Sequence, residues 1–419
     1  MIKDMLGRDA VVSVKAAKEI FWKSFSPPKI QSEELSILDA AGRIIAQGIS
    51  SPVNLPDFSR SSMDGYAVRA QDTFGASESL PAYLHVAGEV LMGEEPDFEI
   101  TKGKAAKIAT GGMLPKGSEA VVILEHTQII DKDSIEVFEA VAAGENVVQI
   151  GEDIKKNEII LKGGHKIRPQ DVGALSGIGI NKIIVYAKPK VSIIATGNEI
   201  IDINEPAQFG KVRDINSYYL SALISSDGGI PVRNGIIRDE YSELRRVVEE
   251  SLAEADIVIL SGGSSVGTRD LTAKVIDDIG EPGILVHGVA IKPGKPTIIG
   301  IVKEKPIFGL PGHPVAVGVS YGLFVRDVIR KLSGMALKDG IGAEMVLKAR
   351  LLKNVASGGG REDHVRVELK NENGEMTALP ILGKSGLIST LVKADGYIVI
   401  PENRLGIEAG EIVEAYIYE

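Results

Sequence analysis

The stretch "ADIVILSGGSSVGTRD", Ala255 to Asp270, puts hydroxyls, glycines and a carboxylate directly behind an apolar run. Three chemistries fit such a loop. Glycines let backbone approach a ligand, successive amides form an anion-binding concavity, and the hydroxyls of Ser264 and Ser265 add donors. Gly263-Ser264-Ser265-Val266-Gly267 also matches GxSxG, the nucleophile elbow of hydrolases, with Ser265 as the nucleophile. The third reading is an ordinary glycine turn at a strand end. An elbow needs a helix that starts at its serine. "VGTR" reads as further loop, which delays the helix to about Asp270. A triad also needs a histidine downstream. His287 sits in a strand pattern, His313 in a Gly-Pro turn and His364 far along the chain.

Other segments carry related chemistry. Lys292-Pro293-Gly294-Lys295-Pro296 sets two lysines beside rigid prolines that add no competing amides, as an oxyanion pocket would. Gly309-Leu310-Pro311-Gly312-His313-Pro314 reads as a sharp turn before a helix, a wall for such a pocket. Thr196-Gly197-Asn198-Glu199 is a second glycine-bearing strand end. Asp64, Asp153, Glu199 and Asp270 are loop carboxylates suited to hold Mg²⁺ or orient a water, although each alone reads as a cap or turn residue. No GxxxxGK[ST] or GxGxxG phosphate loop is present.

The elements that must position these residues follow from periodicity. "VSIIA", "PVRNGII", "DIVIL" and "ILVHGVA" read as strands, and "NSYYLSALISS", "YSELRRVVEESLAEA" and "DLTAKVIDDIG" as helices between them. This alternation predicts an α/β layer with a mostly parallel sheet, whose ligands bind at the carboxyl ends of the strands. A helix is expected at 13–25, capped by Ser13, and another at 314–332. Short apolar runs between turns make residues 80–165 β-rich, and from 344 onward the pattern is strands alone. The fold class is therefore α/β multidomain. The 419 residues carry a net charge of −10 and no cysteine. Disulfides, thiolate metal sites and broad nucleic-acid binding are excluded on that basis. No apolar run reaches the ~18 residues of a membrane span, so a cytoplasmic protein is expected.

Taken together and in this order, "SSMDGYAV", "ATGGMLPKGSEAVV", "GEDI", "TGNEI", "SGGSSVGTRD", "IKPGKP", "GLPGHPV" and "SGLISTLVKADGYIVIP" resemble the molybdopterin molybdenumtransferase family (MoeA and the E domain of gephyrin) over nearly the whole chain. The resemblance implies a split linker domain (1–55 and 148–188), a β-rich inserted domain (56–147), a molybdopterin-binding three-layer α/β domain (189–336) and a C-terminal β-barrel-like domain (337–419). It implies a homodimer whose site joins the α/β domain of one protomer to the inserted domain of the other. The implied reaction inserts molybdate into adenylylated molybdopterin with release of AMP and requires Mg²⁺. Carried over by motif, Asp64, Asp153, Glu199 and Asp270 are catalytic, with Glu199 and Asp270 at Mg²⁺. Thr110, Gly262, Gly263, Ser264, Ser265 and Gly267 hold the pterin nucleotide. Lys292, Lys295, Pro296, Arg361 and Ser389 surround molybdate. The molybdopterin adenylyltransferase is the implied partner.

The chain departs from the family pattern at three places. Asn198 replaces an aspartate, "GHPVA" with His313 and Ala316 replaces "GNPVS", and Val148 or Gln149 replaces a basic residue before "GEDI". Tungstate nearly equals molybdate in size and charge, so the choice of metal stays open. A scaffold or peptide-binding protein on the same fold is the alternative. Retention of Asp64, Glu199, Asp270, Lys292, Lys295 and Arg361 together favours the enzyme.

Overall fold

The computed structural model describes residues 11–262, 266–335 and 345–418, and for 266–270 the backbone alone. The chain divides into two compact units, Glu34–Ile184, and Met1–Glu33 together with Val185–Glu419.

In the larger unit, β-branched runs build a six-stranded sheet in the order Ile230–Ile237, Lys190–Thr196, Ile257–Gly262, Lys305–Leu310, Ile298–Val302, Pro282–His287. The first four strands are parallel, Ile298–Val302 runs antiparallel to them, and Pro282–His287 pairs antiparallel with Ile298–Val302 and so runs with the first four. Alternation along each strand sends side chains to two cores. Val191, Ile193, Ile257, Ile259 and Phe308 pack with the helices Asn216–Ser226 and 314–332. Ile194, Val258, Leu260 and Ile307 pack with the helices Tyr241–Glu254 and Val266–Ile279. The result is the expected three-layer arrangement. The helix Val14–Ser24, which the resemblance groups with residues 34–55 in the linker domain, lays Val14, Ala17 and Phe21 on the first of these cores. Ser13 caps it, accepting a hydrogen bond from Ala16 N.

One expectation is corrected here. The helix after the glycine loop begins at Val266 and not near Asp270. "VGTR" is its first turn, where glycine and threonine are tolerated because the first N–H groups lack intrahelical partners in any case. A helix does begin beside Ser265, so helix position is no argument against a nucleophile elbow. The helix expected at 314–332 is present, with a π turn at Tyr321–Val325 inside it.

The C-terminal strands Glu362–Glu372, Glu375–Pro380, Val346–Leu351, Ile412–Ile417 and Gly396–Ile400 pair in that order, and the last pairs back with the first. They close a five-stranded barrel around Leu351, Val367, Ala378, Ile398 and Ala415.

The smaller unit contains a second six-stranded sheet, ordered Ala120–Ile123, Gly65–Val68, Lys104–Ile108, Ala82–Val90, Ser134–Val137, Thr127–Asp131. Beside it, Ile49–Ser50 pairs with Ile159–Leu161, and Ile44 and Leu55 bridge Lys166 and Ile154. The two arms of the split segment thus run along each other. Among the described residues no helix is long and apolar enough to cross a membrane.

Candidate functional site

The parallel register Thr196↔Gly262 sets the two glycine-bearing strand ends side by side. The approach is close enough that a Cβ on Gly262 would collide with the Thr196 carbonyl and hydroxyl. Gly197 has φ +144°, and a Cβ there would lie 2.7 Å from a Glu199 carboxylate oxygen. Glycine thus lets Glu199 fold back over the strand end. Asn198 is engaged locally, its carbonyl accepting from Lys211 Nζ at 2.6 Å. Gly263, Ser264 and Ser265 lie outside the described residues. Gly267 and Asp270 belong to the helix Val266–Ile279, with their side-chain environments outside the description.

The larger unit contains a cavity of about 380 Å³. Lys292, Lys295, Pro296 and Arg361 all line it, together with His313 and Ser385. Two modules converge there because the short strand Ile291–Lys292 leaves the α/β layer and pairs in parallel with Glu362–Asp363 of the barrel. This pairing places Lys292 opposite Asp363. The Asp363 carboxylate is only 4% exposed and accepts from Arg361 Nε at 2.8 Å and from Lys292 Nζ at 3.4 Å. Three cations and one buried carboxylate leave a local formal charge of about +2, which matches a tetrahedral dianion. The turn between the lysines is rigid. Thr297 Oγ1 donates to Gly294 O at 2.6 Å and pairs with Ser320 Oγ at 2.7 Å, and Gly294, at φ +124°, has no room for a side chain against Ile291 and Ser320. Ser389 is exposed at the start of the short helix Ser389–Val392 and does not line this cavity, whereas Ser385 does.

A narrow crevice lined by Thr196, Gly262, Pro296 and Pro311 adjoins the strand ends, and its two prolines also line the cation cavity. Sequence reading missed two residues that organise this region. Asp363 sits in "REDH", which resembles a solvated charge run. Asn216 Nδ2 donates to Ser261 Oγ at 3.0 Å and to Gly312 O at 2.9 Å, tying the glycine-loop strand to the wall before His313.

In the smaller unit, antiparallel pairing of Gly65 with Ile108 brings the end of one strand beside the start of the other. Asp64 and Thr110 therefore meet. Asp64 Oδ1 accepts from Thr110 N at 2.7 Å and from Thr110 Oγ1 at 2.9 Å. These two bonds, the amide first, hold the Asp64 carboxyl below its usual range. Asp153 is exposed in a turn, its amide donating to Leu55 O. Among the described residues no three His, Asp or Glu side chains converge as a metal cage. Mg²⁺ does not need one, because it keeps several waters and takes one or two carboxylates plus substrate phosphates. An oxygen donor such as Glu199 at a strand end fits that chemistry.

Comparisons with known proteins agree with this architecture. Residues 12–179 match the MoeA N-terminal region (domain I and II), 192–331 match the model described as "Probable molybdopterin binding domain", and 348–418 match the MoeA C-terminal region (domain IV). The chain is 33% identical to the molybdopterin molybdenumtransferase of Haemophilus influenzae, over 92% of this chain and 94% of that one. A crystal structure of the molybdopterin biosynthesis MoeA protein from Pyrococcus horikoshii superposes with TM-score 0.85 at 38% identity, covering 98% of this chain and 100% of that chain. Another crystal structure of a molybdopterin biosynthesis MoeA protein, from Pyrococcus horikoshii OT3, gives 0.83 at 34% identity, with the same coverage. On its three matched regions, its full-length relatives and its fold, this chain belongs to the molybdopterin molybdenumtransferase (MoeA) family.

Proposed function

We propose that this chain inserts molybdate into adenylylated molybdopterin and releases AMP, the last step of molybdenum cofactor synthesis. The observation that carries the reading is the cavity lined by Lys292, Lys295 and Arg361, with the buried Asp363 engaging Lys292 and Arg361. The cations bind the oxyanion through charge-assisted hydrogen bonds. Asp363 holds Arg361 and Lys292 in place and trims their charge to that of a dianion. The pterin nucleotide binds outside the strand ends at Thr196 and Gly262, with its phosphate on the Ser264–Ser265 loop. The serines there donate hydrogen bonds and do not attack. Glu199 and Asp270 would hold Mg²⁺, which when bound supplies positive charge at the nucleotide phosphates.

Asp64, Thr110 and Asp153 act from the second copy of a homodimer. The Asp64–Thr110 pair supplies a carboxylate that stays ionised and is already oriented. The substrate comes from the molybdopterin adenylyltransferase, and the reaction is cytoplasmic. Family membership and this cation set favour the enzyme over a scaffold and over a serine hydrolase. Calorimetric titration of the purified protein with molybdate tests the reading. Saturable binding that sulfate competes away is expected, and absence of competition between the two anions would overturn the assignment of the cavity. Reaction of Ser265 with a fluorophosphonate would return the hydrolase.

A further inference from the structure

The wall of the cation cavity contains a histidine. His313 stands at the start of the helix Pro314–Ser320 and lines the cavity with Lys292, Lys295 and Arg361. Its Nδ1 lies 2.8 Å from Ser385 Oγ, which fixes the ring. Among the described lining residues His313 is the only one whose side chain ordinarily changes charge between pH 5 and 8. Ala316, one turn along the same helix, also lines the wall and carries no polar group, which leaves the imidazole as the polar side chain of this helix at the cavity.

We infer that His313 is a specificity-determining residue of the oxyanion site, taking up a proton as a tetrahedral dianion binds and so tying anion affinity to pH. The inference rests on the cavity being the oxyanion site proposed above. The charged groups facing the imidazole decide the direction of the effect. Lys292 and Lys295 come from the turn on one side, and Arg361 comes from the segment entering the barrel. Asp363 lies behind, engaged by Arg361 and Lys292. Lys384 precedes Ser385 on the loop that holds the ring. The helix behind His313 opens with the apolar Pro314, Val315 and Ala316. A bound dianion more than offsets the local formal charge of about +2 once its own field reaches the facing imidazole, so a proton enters with the anion. Serine is a suitable partner because its hydroxyl donates to a neutral Nδ1 and accepts from a protonated one. An asparagine here would donate at every pH and carry no charge.

The test is isothermal titration calorimetry of the intact protein with sulfate, which stays a dianion throughout the range, and with molybdate. Titrations run from about pH 6 to about pH 8, in buffers of different ionisation enthalpy, on wild type, His313→Asn, His313→Gln and Lys295→Ala. In wild type, affinity for both anions rises several-fold as pH falls across this range, by at most about tenfold per pH unit for one linked proton. The buffer dependence of the heat shows net proton uptake. Both histidine variants bind with a pH dependence flat to within about twofold and no net uptake. Proton uptake that persists in His313→Asn and His313→Gln would overturn the inference, as would a flat wild-type profile. Lys295→Ala separates the two readings. If it binds anions as well as wild type does, the cavity assignment itself fails. If it loses binding while wild type shows no proton uptake, only the role of His313 fails.

Discussion

Arg361→Ala perturbs the proposed oxyanion site in two ways, and the structure sets the size of each. The guanidinium is 39% exposed and the Lys292 side chain 57% exposed. A charge-assisted hydrogen bond contributes about 1.5–3 kcal/mol, and partial exposure puts these toward the lower end. Losing a direct bond to molybdate at about 1.4 kcal/mol weakens binding about tenfold. The second effect falls on Asp363. Its carboxylate is nearly buried and loses its 2.8 Å partner, keeping only Lys292 at 3.4 Å. Lys292 is then drawn toward Asp363 and away from the anion, and the cavity's formal charge falls from about +2 to about +1. Arg361→Ala should therefore weaken molybdate binding by roughly 30- to 100-fold, against about tenfold for Lys295→Ala, which has no such link to Asp363. Adding Asp363→Asn to Arg361→Ala should recover part of the loss, a coupling that a double-mutant cycle reads directly. Calorimetry with molybdate gives the affinities, and pterin nucleotide binding should change less than about threefold. Unchanged molybdate affinity with lost pterin binding would move these cations to the pterin phosphate. A loss in Lys295→Ala as large as that in Arg361→Ala would refute the role given to Asp363.

Asp64→Asn should leave folding intact, since Asp64 is exposed, yet lower AMP release by at least about a hundredfold; wild-type turnover would remove Asp64 from the site. Because Thr110 holds the Asp64 carboxyl below its usual range, no acid limb from this residue should appear in the pH–rate profile above about pH 4. Asp171 in the smaller unit is bound by Arg168 and His165, and the Arg168 guanidinium foremost holds its carboxyl well below the usual range. A depressed folded value contributes stability that is present above about pH 4 and is lost as pH falls further. Asp171→Asn should therefore destabilise by roughly 1–3 kcal/mol near neutrality. That difference should shrink below about pH 4, as denaturant unfolding across pH would show. Light scattering at micromolar concentration should give the mass of a dimer, and a monomer would contradict the shared site.

The sequence shows the α/β layer because its strands are long β-branched runs separated by helices of clear period. It hides the hairpin Ile298–Val302 to Lys305–Leu310. The turn there is Lys303-Glu304, both at positive φ, in place of the Asn-Gly or Asp-Gly that usually marks such a turn. The strand Glu375–Pro380 goes unseen because it is short and ends in proline, although the Asn373-Gly374 turn that leads into it is a readable hairpin signal. Lys292, Lys295 and Arg361 are legible as charges in unusual settings. Asp363 and Asn216 are not, because their roles come from contacts 71 and 96 residues away. Ser389 against Ser385 shows the limit of carrying a role over by motif. Both lie in "SGLIS", and only the fold shows which of them lines the cavity.

The central claim is that anion capture at the Lys292–Lys295–Arg361 cavity is coupled to release of AMP. The most direct measurement is a single-turnover reaction of the purified protein with adenylylated molybdopterin, Mg²⁺ and stepped concentrations of molybdate. AMP is followed by chromatography, and metal in the pterin product by mass spectrometry. The account predicts AMP and metal-loaded pterin in equal amounts, rising together with molybdate and shifting to higher molybdate in Lys295→Ala. AMP released without metal in the product, or a molybdate dependence identical in Lys295→Ala, would contradict it.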